Sequence, residues 1–360
     1  MDDPTSGPAR VTRRGMLIGA LTTAGLAATG GSAASAHPPH PAHPAHPARP
    51  PARRRVLVAT NEPWGTYHVA PLLAAARRGG YQLTQLVPDH TQIKPGDPVP
   101  VATPDEAPQA DLLVVTGAGD WPADCADRFR RLPLAASSLA YLNPTEAPRA
   151  REIRSRLRTI TSSSPAEARA FAGYLGLRRP IQVVGSPQTD DLPKRQPQPD
   201  TVLVLTSVTY PDATGGAAPG TQLLLDAAAR LHAAGKRIVV GMHPRENPAL
   251  WEQYEISAVP SVQASAAAEV AIGIPGTVFP LVVAVGTPVV GCVDPALQVP
   301  DYLLDVCSST ISTAEQSVTA IQQAQLPDRT TIADAVGPVG GSAVRLLDAW
   351  SRRVGRPGRG

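Results

Sequence analysis

The chain has 360 residues, 18% of them charged and 4% aromatic, with a formal net charge of +3. That length accommodates two ordinary domains behind a leader, and the small charge, with no basic stripe interleaved with aromatics, argues against nucleic-acid binding. The three cysteines, Cys125, Cys292 and Cys307, show no C-x-x-C spacing, which argues against a zinc site or a disulfide framework and for small buried apolar residues, with Cys292 and Cys307 as the one pair able to oxidise after export.

At the N-terminus, Thr12-Arg13-Arg14-Gly15-Met16-Leu17 opens an uncharged, mildly apolar run, Met16 to Ala36, that closes on Ala34-Ser35-Ala36. Paired arginines ahead of such a run and an A-x-A site form the pattern of a twin-arginine export signal. Residues 1–36 are therefore expected to be removed after export through the twin-arginine translocase, leaving an extracytoplasmic or secreted protein that starts near His37. The run is also about as long as the ~20 residues that span a bilayer, so a retained anchor is the alternative. Residues 37–52 are rich in proline and read as an extended polyproline spacer. Their histidines His37, His40, His43 and His46 recur every third residue, a weak metal-binding pattern on a segment that already serves as a spacer.

From Arg55 the pattern becomes that of alternating strands and helices. Val56–Ala59 reads as a strand, and Val69, Leu72, Leu73 and Ala76 recur at helical spacing up to the stop at Gly79-Gly80. Strands are expected at 81–87, 111–116, 134–141, 158–162 and 181–185, with helices at 145–157 and at 165–175, where Pro165 suits a first turn. The segment from Pro193 to Pro199 breaks the pattern as a linker. It restarts with strands at 202–205, 237–240, 269–272 and 289–292, and with helices at 223–234, 278–285, 314–325 and 341–353. Such alternation implies α/β architecture with parallel sheets covered on both faces. Two doubly wound Rossmann-like domains facing a cleft are expected, the first over 53–192, the second over 200–350, followed by a basic tail at 351–360.

In such sheets ligands sit beyond the carboxyl ends of strands. In the second half three segments hold that position: Thr206 and Ser207 after one strand, His243-Pro244-Arg245-Glu246 after the next, and Gly276-Thr277 at a helix start. Glycine permits close backbone approach, the helix start offers free N–H groups, His243 can donate to a phosphate oxygen and Arg245 can clamp one. In the first half Glu62, His68 and Asp120 lie at strand ends and are the candidates for a general base. No D-x-D pair stands out, so no metal or other cofactor is expected.

These passages resemble those of the two-Rossmann-domain (GT-B) glycosyltransferase superfamily. Val183-Val184-Gly185-Ser186-Pro187-Gln188-Thr189-Asp190 is similar to the V-x-G-x-P-x-x-D passage that leads into that superfamily's interdomain linker. The strand ending in His243-Pro244-Arg245-Glu246 resembles the His-Pro motif of the polysialyltransferase and glycerophosphotransferase-like branches. Gly276-Thr277-Val278-Phe279 through Gly286-Thr287-Pro288-Val289-Val290 resembles the superfamily's donor-side helix, with Phe279-Pro280-Leu281-Val282 where many relatives carry a hydroxyl-gripping acid and Thr287 where lysine is usual. The resemblance implies a transferase of a glycosyl or polyol-phosphate group from a nucleotide-activated donor, with His243, Gly276 and Thr277 at the donor phosphates. The alternative is a non-catalytic extracytoplasmic binder of a phosphorylated glycan or small ligand on the same scaffold. A solute-binding protein would cross between its lobes more than once, whereas a single linker is expected here. An epimerase or hydrolase on this fold would need paired acids, which are not found at comparable positions.

Overall fold

The computed structural model describes residues 54–139, 141, 149–207, 219–243 and 246–352. The expected export signal and polyproline spacer, most of the expected basic tail, Pro244 and Arg245 lie outside the described residues. Among the described residues no helix is long and apolar enough to cross a membrane.

The first lobe carries strands β1 (Arg54–Ala59), β2 (Tyr81–Leu86), β3 (Val101–Ala102), β4 (Leu112–Val115), β5 (Leu134–Ser137), β6 (Leu157–Ser162) and β7 (Gln182–Val183). Its helices are α1 (Leu73–Arg78), α2 (Asp120–Arg128), α3 (Ala150–Ile153) and α4 (Pro165–Leu175). The strand order is β3-β2-β1-β4-β5-β6-β7, and all neighbours are parallel. A sheet buried on both faces needs strands that are apolar throughout, as in Leu112-Leu113-Val114-Val115, where all four residues are buried. Side chains alternate between the two faces: Leu57 and Ala59 join one core cluster, Val56 and Val58 the other. Helix α4 shows why its ends fall where the sequence places them. Ser164 accepts the Glu167 N–H at 3.1 Å, Pro165 occupies the first turn, and Gly176 closes the helix at φ 62°.

The second lobe carries β8 (Thr201–Leu205), β9 (Arg237–Gly241), β10 (Glu255–Ile256), β11 (Val270–Gly273), β12 (Val289–Cys292) and β13 (Ser309–Ile311), in the order β10-β9-β8-β11-β12-β13, again all parallel. Helices α5 (Thr221–Ala233), α6 (Ser261–Ser265), α7 (Phe279–Val285), α8 (Asp301–Leu304), α9 (Ser317–Gln322) and α10 (Arg329–Val336) cover it. Val202 and Val204 face one core cluster, Leu203 and Leu205 the other. Both sheets are thus doubly wound, with topological switch points between β1 and β4 and between β8 and β11.

The second lobe does not run to residue 350 as expected. After α10 the chain crosses back, and a last helix, α11 (Ser342–Ser351), packs Ala343, Leu346, Leu347 and Trp350 onto the first sheet beside Val56, Val58 and Val114. The chain therefore crosses twice, where one linker was expected. The clasp lies in the V-x-G-x-P-x-x-D passage. Gly341 at the N-cap has no side chain to offer, so Asp190 accepts the N–H groups of Ser342 at 2.6 Å and Ala343 at 2.8 Å. Gly185 sits at φ 87°, and a Cβ there would collide with the Ser342 hydroxyl and the Pro338 carbonyl. The lobes also share an apolar cluster in which Tyr141 and Ala166 meet Leu281, Tyr302 and Leu303. Across the same boundary Tyr141 donates its hydroxyl to the Val336 carbonyl at 2.7 Å.

Candidate functional site

The carboxyl end of β1 runs into a loop that β2 holds in place. Gln85, fully buried on β2, donates its amide to Thr60 Oγ1 at 3.2 Å and to the Pro63 carbonyl at 2.9 Å. Within the loop the Thr60 hydroxyl donates to the Glu62 carbonyl at 2.5 Å. A Cβ at Gly65 would come within 3.0–3.1 Å of Glu62 and His68, so glycine there allows Glu62 and His68 to close on one another. Tyr67 donates its hydroxyl to Glu62 Oε2 at 2.6 Å, and its ring lies 4.1 Å from the His68 ring between centroids.

A cavity of about 290 Å3 opens at this point. The 62–67 loop, Gln92, Lys94 and Asp97 line it from the first lobe, and His243 lines it from the second. His68 lies beside it. Burial pushes the His68 pKa below its ordinary 6.5, Glu62 opposes that shift and His243 adds to it, so the two imidazoles sense each other across the cleft. The Gln188 side-chain amide lies 3.4 Å from His68 Nδ1 and holds the ring in place. The expected residues Glu62, His68 and His243 thus come together from positions far apart in the chain.

On the second lobe, Thr206 Oγ1 accepts the His243 N–H at 2.8 Å, tying the ends of β8 and β9. Ser207 follows, half-buried. Glu246 is buried, its Oε1 accepts the Asn247 N–H at 2.8 Å, and burial raises its pKa. Gly276 and Thr277 are half-buried in the turn after β11, at the switch point. The helix after them begins at Phe279, and Pro280 in its first turn has no N–H to offer. Arg245 lies outside the described residues. Asp120 opens α2 at the end of the neighbouring strand β4, exposed, and does not line the cavity.

Phe279 and Thr287, on the segment that resembles a donor-side helix, are both core residues. Phe279 is fully buried in the core under the second sheet. Thr287 is also fully buried and donates its hydroxyl to the Ser265 carbonyl at 2.8 Å. Neither side chain faces the cleft.

Sequence reasoning missed Gln92, Lys94 and Asp97, which lie in the irregular 87–100 segment between β2 and β3. Asp97 fixes that segment by accepting the Thr66 hydroxyl and the Val99 N–H. It also missed the side chain of Asn61. That amide lies against Gly117 at the first switch point, buried and without a hydrogen-bond partner. Only its packing against Gly117 shows that this amide is enclosed. The three cysteines are free thiols, each with its pKa pushed up to about 12, chiefly by burial.

No protein-family model matches the chain, and no curated protein sequence matches it. Solved structures do. The UDP-GlcNAc 2-epimerase of Methanocaldococcus jannaschii, in complex with UDP-GlcNAc and UDP, superposes with a TM-score of 0.57 at 12% identity, over 83% of this chain and 99% of that one. The wall teichoic acid polymerase TagF (H548A variant) gives 0.56 at 10% identity, over 83% and 88%. MurG of Acinetobacter baumannii gives 0.50 at 11% identity, over 83% and 99%. At such identities the likeness establishes the fold: two Rossmann-like domains in the GT-B arrangement.

Proposed function

We propose that the protein is a transferase that moves a glycosyl or polyol-phosphate group from a nucleotide-activated donor to a hydroxyl acceptor. The observation that carries this reading is the meeting of Glu62 and His68 from one lobe with His243 from the other at facing strand ends. The cavity of about 290 Å3 between them is where a donor phosphate and an acceptor hydroxyl would meet. The M. jannaschii epimerase holds UDP-GlcNAc and UDP on this fold, which supports a nucleotide-activated donor.

Glu62 takes the acceptor proton. His68, its pKa lowered by burial, stands beside Glu62 as the second candidate for that role. The acceptor oxygen attacks the activated carbon or phosphorus, and the bond to the leaving phosphate breaks with its electron pair passing to the nucleotide. His243, the N–H groups at Gly276-Thr277 and Arg245 stabilise the charge that develops there. Tyr67, bonded to Glu62, fixes the carboxylate in place. Incubating the chain with nucleotide sugars and polyol-phosphate nucleotides, and measuring nucleotide release in the parent and in Glu62→Gln, tests the reading.

The placement of Phe279 in the core favours one second reading, a binder of phosphorylated glycans without transferase activity, because no acid stands there to hold donor hydroxyls. Release of nucleotide separates the two. Export through the twin-arginine route, with a spacer over 37–52, remains our reading of Arg13-Arg14 and the run behind it. The signal is tested by whether the secreted form begins near His37.

A further inference from the structure

We propose that the edge of the first lobe opposite the cleft docks on an anionic lipid bilayer. In a parallel sheet all strands start at one edge and their covering helices end there. In the first lobe the turns along that edge carry Arg77, Arg78, Arg131, Arg158, Arg178 and Arg179, all exposed and without an ion pair among the described residues. The corresponding edge of the second lobe is an internal control. There Lys236 pairs with Asp200 at 2.6 Å, and Arg237 pairs with Glu255 at 2.6 Å. Arg128 and Arg130 at the end of α2 are paired with Asp105 and Asp127, so the first-lobe edge is neutralised in part, and the six arginines named above are its excess.

Both ends of the described chain leave from the basic edge. β1 begins at Arg54, on this edge. Helix α11 runs down the first sheet to the same edge: Tyr81, the first residue of β2, donates its hydroxyl to the Leu347 carbonyl at 3.0 Å. No large exposed apolar side chain among the described residues lies on this edge, since Tyr67, Ile256, Val259, Leu326, Val339 and Val344 are all elsewhere. Without aromatic platforms the surface suits lipid phosphates rather than unstacked bases. Without apolar anchors the attachment is electrostatic, each arginine adding to it and salt weakening it. Docked this way, the cleft at the opposite ends of the strands faces the aqueous phase.

The test is co-sedimentation with vesicles of phosphatidylcholine and phosphatidylglycerol in equal parts, against phosphatidylcholine alone. The protein is the chain from Pro50 onward, which contains every strand and every core cluster and forms one compact unit. Binding to the anionic vesicles alone, reversed by salt, is expected. The triple variant Arg131→Glu, Arg178→Glu, Arg179→Glu should bind at least about tenfold more weakly, while the same three positions changed to lysine should bind as the parent does, with circular dichroism unchanged in both. Equal binding to neutral vesicles, parent-like binding by the glutamate variant, or loss of binding in the lysine variant would each overturn the proposal. So would binding to heparin or polyglycerol phosphate without binding to vesicles, which would make the partner a soluble polyanion.

Discussion

Replacing Asp190 by alanine removes the cap that fastens the returning helix. The carboxylate is exposed, so its two bonds to Ser342 and Ala343 count as an ordinary helix cap of about 1–2 kcal/mol rather than a buried charge pair. The apolar face of α11 stays buried, with Leu346, Leu347 and Trp350 each at 4% exposure or less. Those side chains contribute several times more than the cap, roughly 1.5–3 kcal/mol apiece, so the helix should remain docked and open at its first turn. Two readouts follow. The melting temperature should fall by about 2–4 °C per kcal/mol lost. Hydrogen exchange over the peptide spanning 338–351 should quicken about tenfold, the equivalent of ~1.4 kcal/mol, with β1 and β4 unaffected. Asp190→Asn, an equally good cap, should restore most of both. Gly185→Ala should cost more than Asp190→Ala, because it forces a side chain into left-handed backbone and into Ser342 and Pro338. Unchanged exchange in Asp190→Ala, or an asparagine variant no better than alanine, would refute the account of how the lobes are fastened.

Three further outcomes are expected. Glu62→Gln should lower kcat by about 10²–10⁴ with KM little changed, and Tyr67→Phe should lower it less; steady-state kinetics on any substrate found by nucleotide release would show this. His68 has a folded pKa below 6.5, so the unfolded chain takes up a proton that the folded protein declines. Stability should therefore fall as pH drops from 6.5 through the lower folded value and be indifferent to His68 above 6.5, and His68→Gln should flatten the slope of urea midpoint against pH in that window. The buried thiols of Cys125 and Cys292, with pKa values near 12, should be inert to a disulfide reagent in the native protein and react once it is denatured. Rapid native labelling would contradict their burial.

The strands that form the two switch points were legible because a doubly covered parallel strand must be apolar along its buried length, as in residues 56–59 of β1, 112–115 of β4, 202–205 of β8 and 270–273 of β11. Edge strands β3, β10 and β13 have two or three residues and carry no such pattern. Helix α2 was missed because Asp120-Trp121-Pro122 reads as a turn, and α10 because its eight residues show little periodicity. Rules about strand ends found Glu62, His68 and His243. They also raised Asp120, which lies off the cavity, because a strand end gives no angle of approach. Lys94 and Gln92 sit in a long irregular segment whose path depends on contacts such as Asp97 with Thr66, and no local pattern reports those. The destination of α11 was not legible for a similar reason: its apolar pattern does not say which sheet it covers, and its contacts with Val56, Val58 and Val114, like its cap at Asp190, join residues far apart in the chain.

The central claim, a donor phosphate site at the facing strand ends, is tested most directly by calorimetry with CMP, CDP, UDP and GDP on the parent chain and on His243→Ala. Micromolar binding of one nucleotide by the parent, weakened at least about tenfold in the variant through loss of a charge-assisted hydrogen bond, is the expected result. No binding of any of the four, or equal binding by parent and variant, would contradict it.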